Sequence, residues 1–366
     1  MLMCGYHQRQ VTNFVTRPYR LFIVLPCLVA LMGCASPLYY IQAIQGQAAI
    51  FAKSRPVEDW LADPATPAET KSSLELAQKL REFASRELLL PDNQSYRTYA
   101  DLARPYALWN VFATPELAIK AKQWCFIVAG CVPYRGYFVK DKAEKFAATL
   151  KQEGYDVYIG GVRAYSTLGW FNDPLLNTFI HRGEAELAGL LFHELAHQKL
   201  YVKGDSTFNE SFATAVEIEG VKRWFRRNGA TTAAESYIEK IRRRDEFAAL
   251  VEKYRAHLSE TYQSNTSAAE KRAAKMKIFA DLRHEYGSLK TKWNGYTAFD
   301  RWISQDLNNA HLAAIGLYNQ YVTSFQILFR NHGEDFTAFF RAVEEIARLS
   351  EAERHAALAI PRAPGS

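Results

Sequence analysis

The stretch Phe192-His193-Glu194-Leu195-Ala196-His197, followed by Asn209-Glu210-Ser211-Phe212-Ala213, constrains this chain more than any other. On a helix, positions i and i+4 stand one above the other on one face, so His193 and His197 can present imidazole nitrogens to one tetrahedral metal ion. Glu194, next to the first histidine, can reach a water in an open metal position without coordinating the ion, which makes it the candidate general base. Glu210 can supply a third ligand from a second helix if the Lys203-Gly204-Asp205-Ser206 turn folds that helix back. A fourth position is then left for water, the pattern of a catalytic zinc site. The same ligands also suit cobalt or manganese, and a facial triad with iron stays open.

Residues 184–201 read as a helix that is apolar almost all round (Leu187, Leu190, Leu191, Phe192, Leu195, Leu200), which describes a buried helix. Two histidines and a glutamate there are expensive without a metal or dense hydrogen bonding. The plainer alternative is a pair of core histidines satisfied by backbone carbonyls. Glu210 is what favours the metal site over it.

At the amino terminus, Arg17 and Arg20 precede an apolar run over 21–33 that is too short to span a bilayer and fits a secretory signal. It ends in Leu31-Met32-Gly33-Cys34, which resembles a bacterial lipobox with Cys34 as the lipidated residue, although Met32 is a less usual occupant. Diacylglycerol plus an amide-linked chain, at about 0.8 kcal/mol per buried methylene, anchors a protein stably. Ala35 then points to an outer membrane lipoprotein facing the periplasm; the alternative is an uncleaved anchor helix. Cys125 and Cys131 are an even pair for an oxidising compartment, which suggests a disulfide, against two free buried cysteines. The formal charge of +6 is spread through mixed-sign helices, with Arg226-Arg227 and Arg242-Arg243-Arg244 as solvated faces, so no nucleic-acid partner is expected.

In order, the chain divides into a signal over 1–33, an N-terminal helical region over 34–123, a catalytic core over 124–229 and a C-terminal helical region over 230–366. In the core, 125–129 and 134–139 read as strands joined by a turn at 130–133. A helix capped by Asp141 follows, then strands over 155–159 and 162–166 joined by Gly160-Gly161. Residues 165–170 are the candidate edge strand for pairing with extended peptide, with Tyr165 and Gly169 as substrate-binding residues; an aromatic core loop is the rival. Asp173 is the candidate anchor for a substrate amine. Long helices are expected near 231–263, 267–290, 297–330 and 334–357, with 235–283 as an antiparallel hairpin or, alternatively, a coiled-coil partner surface. The fold class is α+β, mainly helical: a small zincin-like sheet with a buried metal helix, then long helices.

Trp124-Cys125-Phe126, Ala129-Gly130-Cys131, Tyr134-Arg135-Gly136-Tyr137-Phe138, Ala164-Tyr165-Ser166-Thr167-Leu168-Gly169-Trp170-Phe171, the two histidine-helix motifs and Asn308-Asn309-Ala310 with Tyr318 together resemble the predicted zinc aminopeptidase lipoproteins of proteobacteria. More widely, the pair of motifs is similar to the gluzincin metallopeptidases. The resemblance implies one Zn2+ per chain on His193, His197 and Glu210, with Glu194 activating water to hydrolyse a peptide substrate. It departs from that pattern in a short spacing from His197 to Glu210, and in Thr214 where an acidic residue often stands. Glu217 is either an orienting carboxylate for a ligand histidine or a solvated glutamate. The oxyanion donor is Tyr318, Tyr321 or Tyr165. Two other functions stay open: a periplasmic metalloendopeptidase, and a non-hydrolytic envelope lipoprotein of assembly or chaperone type with structural zinc.

Overall fold

Helix α1, Pro37–Ala52, carries no charged side chain and leaves Ile41 and Ile44 exposed at 49% and 69%. It opens the computed structural model, which describes residues 37–126, 130–167, 169–315 and 320–359. The 1–33 signal and Cys34 lie outside the described residues. Among the described residues no helix is long and apolar enough to cross a membrane.

Strand β1 (Arg55–Pro56) and helices α2 (Val57–Ala62) and α3 (Ala68–Glu87) follow. Leu74, Ala77, Leu80, Phe83 and Ala84 form the buried stripe that seats α3 on the main core. β2 (Thr98–Ala100) pairs antiparallel with β1 and parallel with β8 (Leu175–Leu176). β3 (Leu108–Pro115) is the middle of an antiparallel sheet between β6 (Arg135–Tyr137) and β7 (Tyr155–Val162). This central strand comes from a stretch read from sequence as helical. Both of its faces are largely covered, so its side chains lack the polar–apolar alternation that would have announced it.

The expected hairpin is shifted. β4 (Trp124–Phe126) pairs with β5 (Gly130–Val132), so Gly130, Cys131 and Val132 are strand rather than turn, and β6 joins the other sheet. Cys125 faces Cys131 in register, and the structure joins them in a disulfide. Helix α4 (Lys140–Gln152) begins one residue before Asp141, which lies in its first turn. β7 runs unbroken through Gly160-Gly161 instead of turning there. A Cβ on Gly161 would come within 2.6 Å of the Tyr106 ring, so the glycine serves close approach rather than a bend.

Two helices then carry the motifs: α5 (Glu184–Lys199) and α6 (Ser206–Arg227). α7 (Thr231–Gln263) and α8 (Ala268–Lys292) pack together through a second core that holds Leu250, Tyr254, Leu258, Leu282 and Tyr286. The single helix expected over 297–330 is three: α9 (Asp300–Ile303), α10 (Asn309–Ala314) and α11 (Val322–Asn331). Asn308 caps α10, and its side-chain amide also holds the Val157 carbonyl at 3.2 Å, so the chain restarts there. The helix expected over 334–357 is likewise split into α12 (Phe336–Ala347) and α13 (Glu351–Leu358), because Ser350 and Glu353 form a capping box. The architecture is α+β and mainly helical.

Candidate metal centre and active site

α5 and α6 lie close because Gly220 of α6 leaves room for the Phe192 ring of α5. A Cβ on Gly220 would stand 2.7 Å from Phe192 and from Leu88. The turn between the helices is clamped by the second motif itself. The Asn209 side chain accepts from the Val202 amide at 2.8 Å and donates to the Val202 carbonyl at 2.7 Å. Asp205 caps α6 by accepting from the Phe208 amide at 2.9 Å. Its other oxygen takes Arg354 Nε at 2.8 Å and lies 3.0 Å from His355 Nε2, tying α13 to the start of the ligand helix.

Held this way, Glu210 turns its carboxylate to both histidines. His193 Nε2 lies 3.1 Å from His197 Nε2 and 3.3 Å from Glu210 Oε2, and His197 Nε2 lies 3.6 Å from Glu210 Oε1. Ligands about 2.1 Å from a tetrahedral ion stand roughly 3.4 Å apart, so these separations fit one zinc-sized cation. The charges fit as well. Burial opposes charging of His193, but the Glu210, Glu217 and Glu194 carboxylates outweigh it and push the imidazole up to about 10. The Glu194, Glu210 and Glu217 carboxylates around these imidazoles give the site negative charge that suits a cation. Glu210 is held well below the usual carboxylate range, against its burial, by the two imidazoles.

Glu217, taken from sequence as either orienting or solvated, is buried and orients. Its Oε2 sits 2.8 Å from His193 Nδ1, and its Oε1 accepts from the Tyr237 hydroxyl at 2.7 Å. A proton on Nδ1 leaves the Nε2 lone pair for the metal. Tyr237 reaches this point because α5 has Gly189 there; a Cβ would come within 1.9 Å of the hydroxyl. Sequence reasoning did not include Tyr237, although a glycine inside a buried helix was the available signal. Glu194 lies half-buried beside the ligands, and no hydrogen bond or ion pair holds it among the described residues.

The proposed substrate loop is placed differently from expectation. The described part of 165–170 contains no strand, and Tyr165 packs its ring against Phe138 with centroids 5.5 Å apart. Gly169, at φ 81°, approaches the Gln198 side chain, where a Cβ would stand 3.5 Å away. Gln198 in turn accepts from Asn93 Nδ2 at 2.8 Å, so loops from both sides rest on α5. Asp173 is 1% exposed, and its Oδ2 accepts from the Thr167 amide at 2.8 Å and the Ser166 hydroxyl at 3.2 Å. Its Oδ2 is engaged by the loop, and its Oδ1 is buried with no hydrogen-bond partner among the described residues. Tyr321 donates its backbone amide to Ser211 Oγ at 3.2 Å and stacks on His355, while Tyr318 lies outside the described residues. Two tyrosines not anticipated flank the site. Tyr201 is half-exposed with its ring 6.4 Å from that of His197. Tyr96, with a left-handed backbone at φ 64°, buries its hydroxyl near Ser166, Asp173 and Glu194.

A family profile described as "Putative aminopeptidase" matches residues 38–358. The chain belongs to that family. No curated protein and no solved structure matches it. In this aminopeptidase-family chain the match spans the ligand helices, their caps and both cores, so the family description applies to the unit that builds the site.

Proposed function

We propose that the chain is a zinc-dependent aminopeptidase with a zincin-like site, in which His193, His197 and Glu210 hold the ion and Glu194 is the general base. The observation that carries this reading is the convergence of three ligand atoms beside a carboxylate that makes no hydrogen bond or ion pair among the described residues. When bound, the ion would supply Lewis-acid polarisation of the scissile carbonyl and make an attacking water more acidic. Glu194 takes the water's proton and returns it to the leaving amine. Glu217, backed by Tyr237, fixes the His193 tautomer and ring.

The test combines elemental analysis of the purified protein with cleavage of peptides bearing free and blocked amino termini. One zinc per chain is expected, with cleavage of free amino termini only. Glu194→Gln should keep the zinc and lose at least about 100-fold in turnover; near-full activity in that variant would remove Glu194 from the mechanism. Cleavage of blocked peptides would make the protein an endopeptidase, and zinc without cleavage of any peptide would favour a non-hydrolytic role.

The setting belongs to the same proposal: an outer membrane lipoprotein, anchored through Cys34, facing the periplasm. The apolar run over 21–33 and the Leu31-Met32-Gly33-Cys34 sequence support it. Cys34→Ser should move the protein from the membrane fraction to the soluble fraction; continued sedimentation with membranes would point to an uncleaved anchor helix.

A further inference from the structure

A cleft of about 460 Å³ opens on the α7 side of His193. His193 and Glu194 form one wall, and Arg182, Lys240, Arg244 and Phe299 contribute to the others. Its volume suits a ligand of small-molecule size, roughly 300–1,000 Å³, more than a long polypeptide. Most of its acidic lining is already committed. Glu217 is engaged by His193 and Tyr237, and Glu186 by Lys240.

The arginines are not committed in the same way. Arg182 makes no hydrogen bond or ion pair among the described residues. Among the described residues Arg244 forms an ion pair with its chain neighbour Asp245 alone, through Nε at 3.5 Å, with side chains 43% and 42% exposed, and its charge also acts on the Glu217 carboxylate without a hydrogen bond. Such a pair holds weakly. Arg244 Nη2 is buried without a hydrogen-bond partner among the described residues. A buried guanidinium donor with no acceptor is costly, and its planar fork matches a carboxylate.

We propose that Arg244 and Arg182 bind a carboxylate of the peptide substrate in this cleft, on the leaving-group side of the scissile bond. The inference rests on the peptidase reading for its substrate class. Of the cleft's charges outside ion pairs within it, the Arg182 and Arg244 guanidiniums outnumber the Glu194 carboxylate, and their end of the cleft suits the carboxylate end of a short peptide rather than its amine end. The carboxylate is either the C-terminal one or that of an acidic side chain.

The experiment measures calorimetric binding to the zinc-loaded Glu194→Gln protein, so that turnover plays no part. The probes are a tripeptide with a free C-terminus, the same tripeptide amidated, and an amidated one with glutamate at its last position. The free acid should bind at least 10-fold more tightly than the amide. Arg244→Ala and Arg182→Ala should each shrink that ratio, with zinc content and melting temperature unchanged. Arg244→Lys is the second variant should Arg244→Ala misfold, and it should keep part of the ratio. Recovery of affinity by the glutamate peptide assigns the site to an acidic side chain, and no recovery assigns it to the terminal carboxylate. Equal binding of acid and amide, absence of binding, or a ratio untouched by the arginine variants would overturn the proposal. A wild-type protein that shows this selectivity yet cleaves nothing would instead defeat the peptidase reading and leave the carboxylate site standing.

Discussion

Glu217 contributes to the site through another residue, and its removal should therefore be read in metal affinity before anything else. With Glu217→Gln the His193 Nδ1 proton loses its anionic acceptor, and zinc should bind roughly 10- to 100-fold more weakly. Tyr237→Phe should give a smaller loss in the same direction, measured by competition with a chromogenic chelator; unchanged affinity in both variants would leave Glu217 a purely structural group. At this scale the sequence was legible where chemistry follows local spacing. His193 and His197 share one helix face, Glu194 stands next to the first of them, and Glu210 follows on the next helix. It was illegible where a partner arrives from a distant element. Nothing near Glu217 in the chain announces Tyr237, and nothing near Asp173 reveals that its carboxylate closes a loop on Thr167.

At the scale of elements, the most consequential contact is the cap of α6. Asp205 both caps the ligand helix and pairs with buried Arg354 on α13. Burial alone would raise its pKa, but the Phe208 amide, Arg354 and His355 hold it below the ordinary carboxylate range. A depressed carboxylate stabilises the fold above its unfolded value of about 3.9 and loses that contribution as pH falls through the lower folded value. Asp205→Asn keeps a good cap but strands the arginine, so it should cost roughly 3 kcal/mol at neutral pH. The gap from wild type in urea midpoint should narrow below about pH 4; a gap constant with pH would mean that the charge is not what matters. The long helices α7 and α8 were legible from periodicity and capping residues. The central strand β3 was not, because covering both faces erases alternation, and Gly160-Gly161 was misread because a glycine admitting a ring looks the same in sequence as one making a turn.

Across the whole molecule, the long-range joints are carried by single polar residues that a linear reading does not connect. Asn309 is fully buried, donates through Nδ2 to the carbonyls of Pro115, Glu116 and Ala118, and accepts from the Tyr262 hydroxyl at 2.9 Å. It thus fastens α10 to the end of β3 and to α7. The Asn308-Asn309-Ala310 motif is in this way explained by assembly rather than by chemistry at the candidate site. The α+β, mainly helical class was legible in the sequence, whereas these joints depend on which surfaces meet in space. The outer surface has its own consequence at α1. Its exposed Ile41 and Ile44 lie on the same helix as Phe51, whose ring meets that of Phe171 at 5.5 Å, and Trp170 beside it is 75% exposed. With no charge on that helix to keep copies apart, a preparation beginning near Pro37 should be colloidally poor, self-associating as concentration rises. Light scattering should show it, and Ile44→Lys should restore a single monodisperse species; equal scattering from both proteins would mean that this face is not the adhesive one.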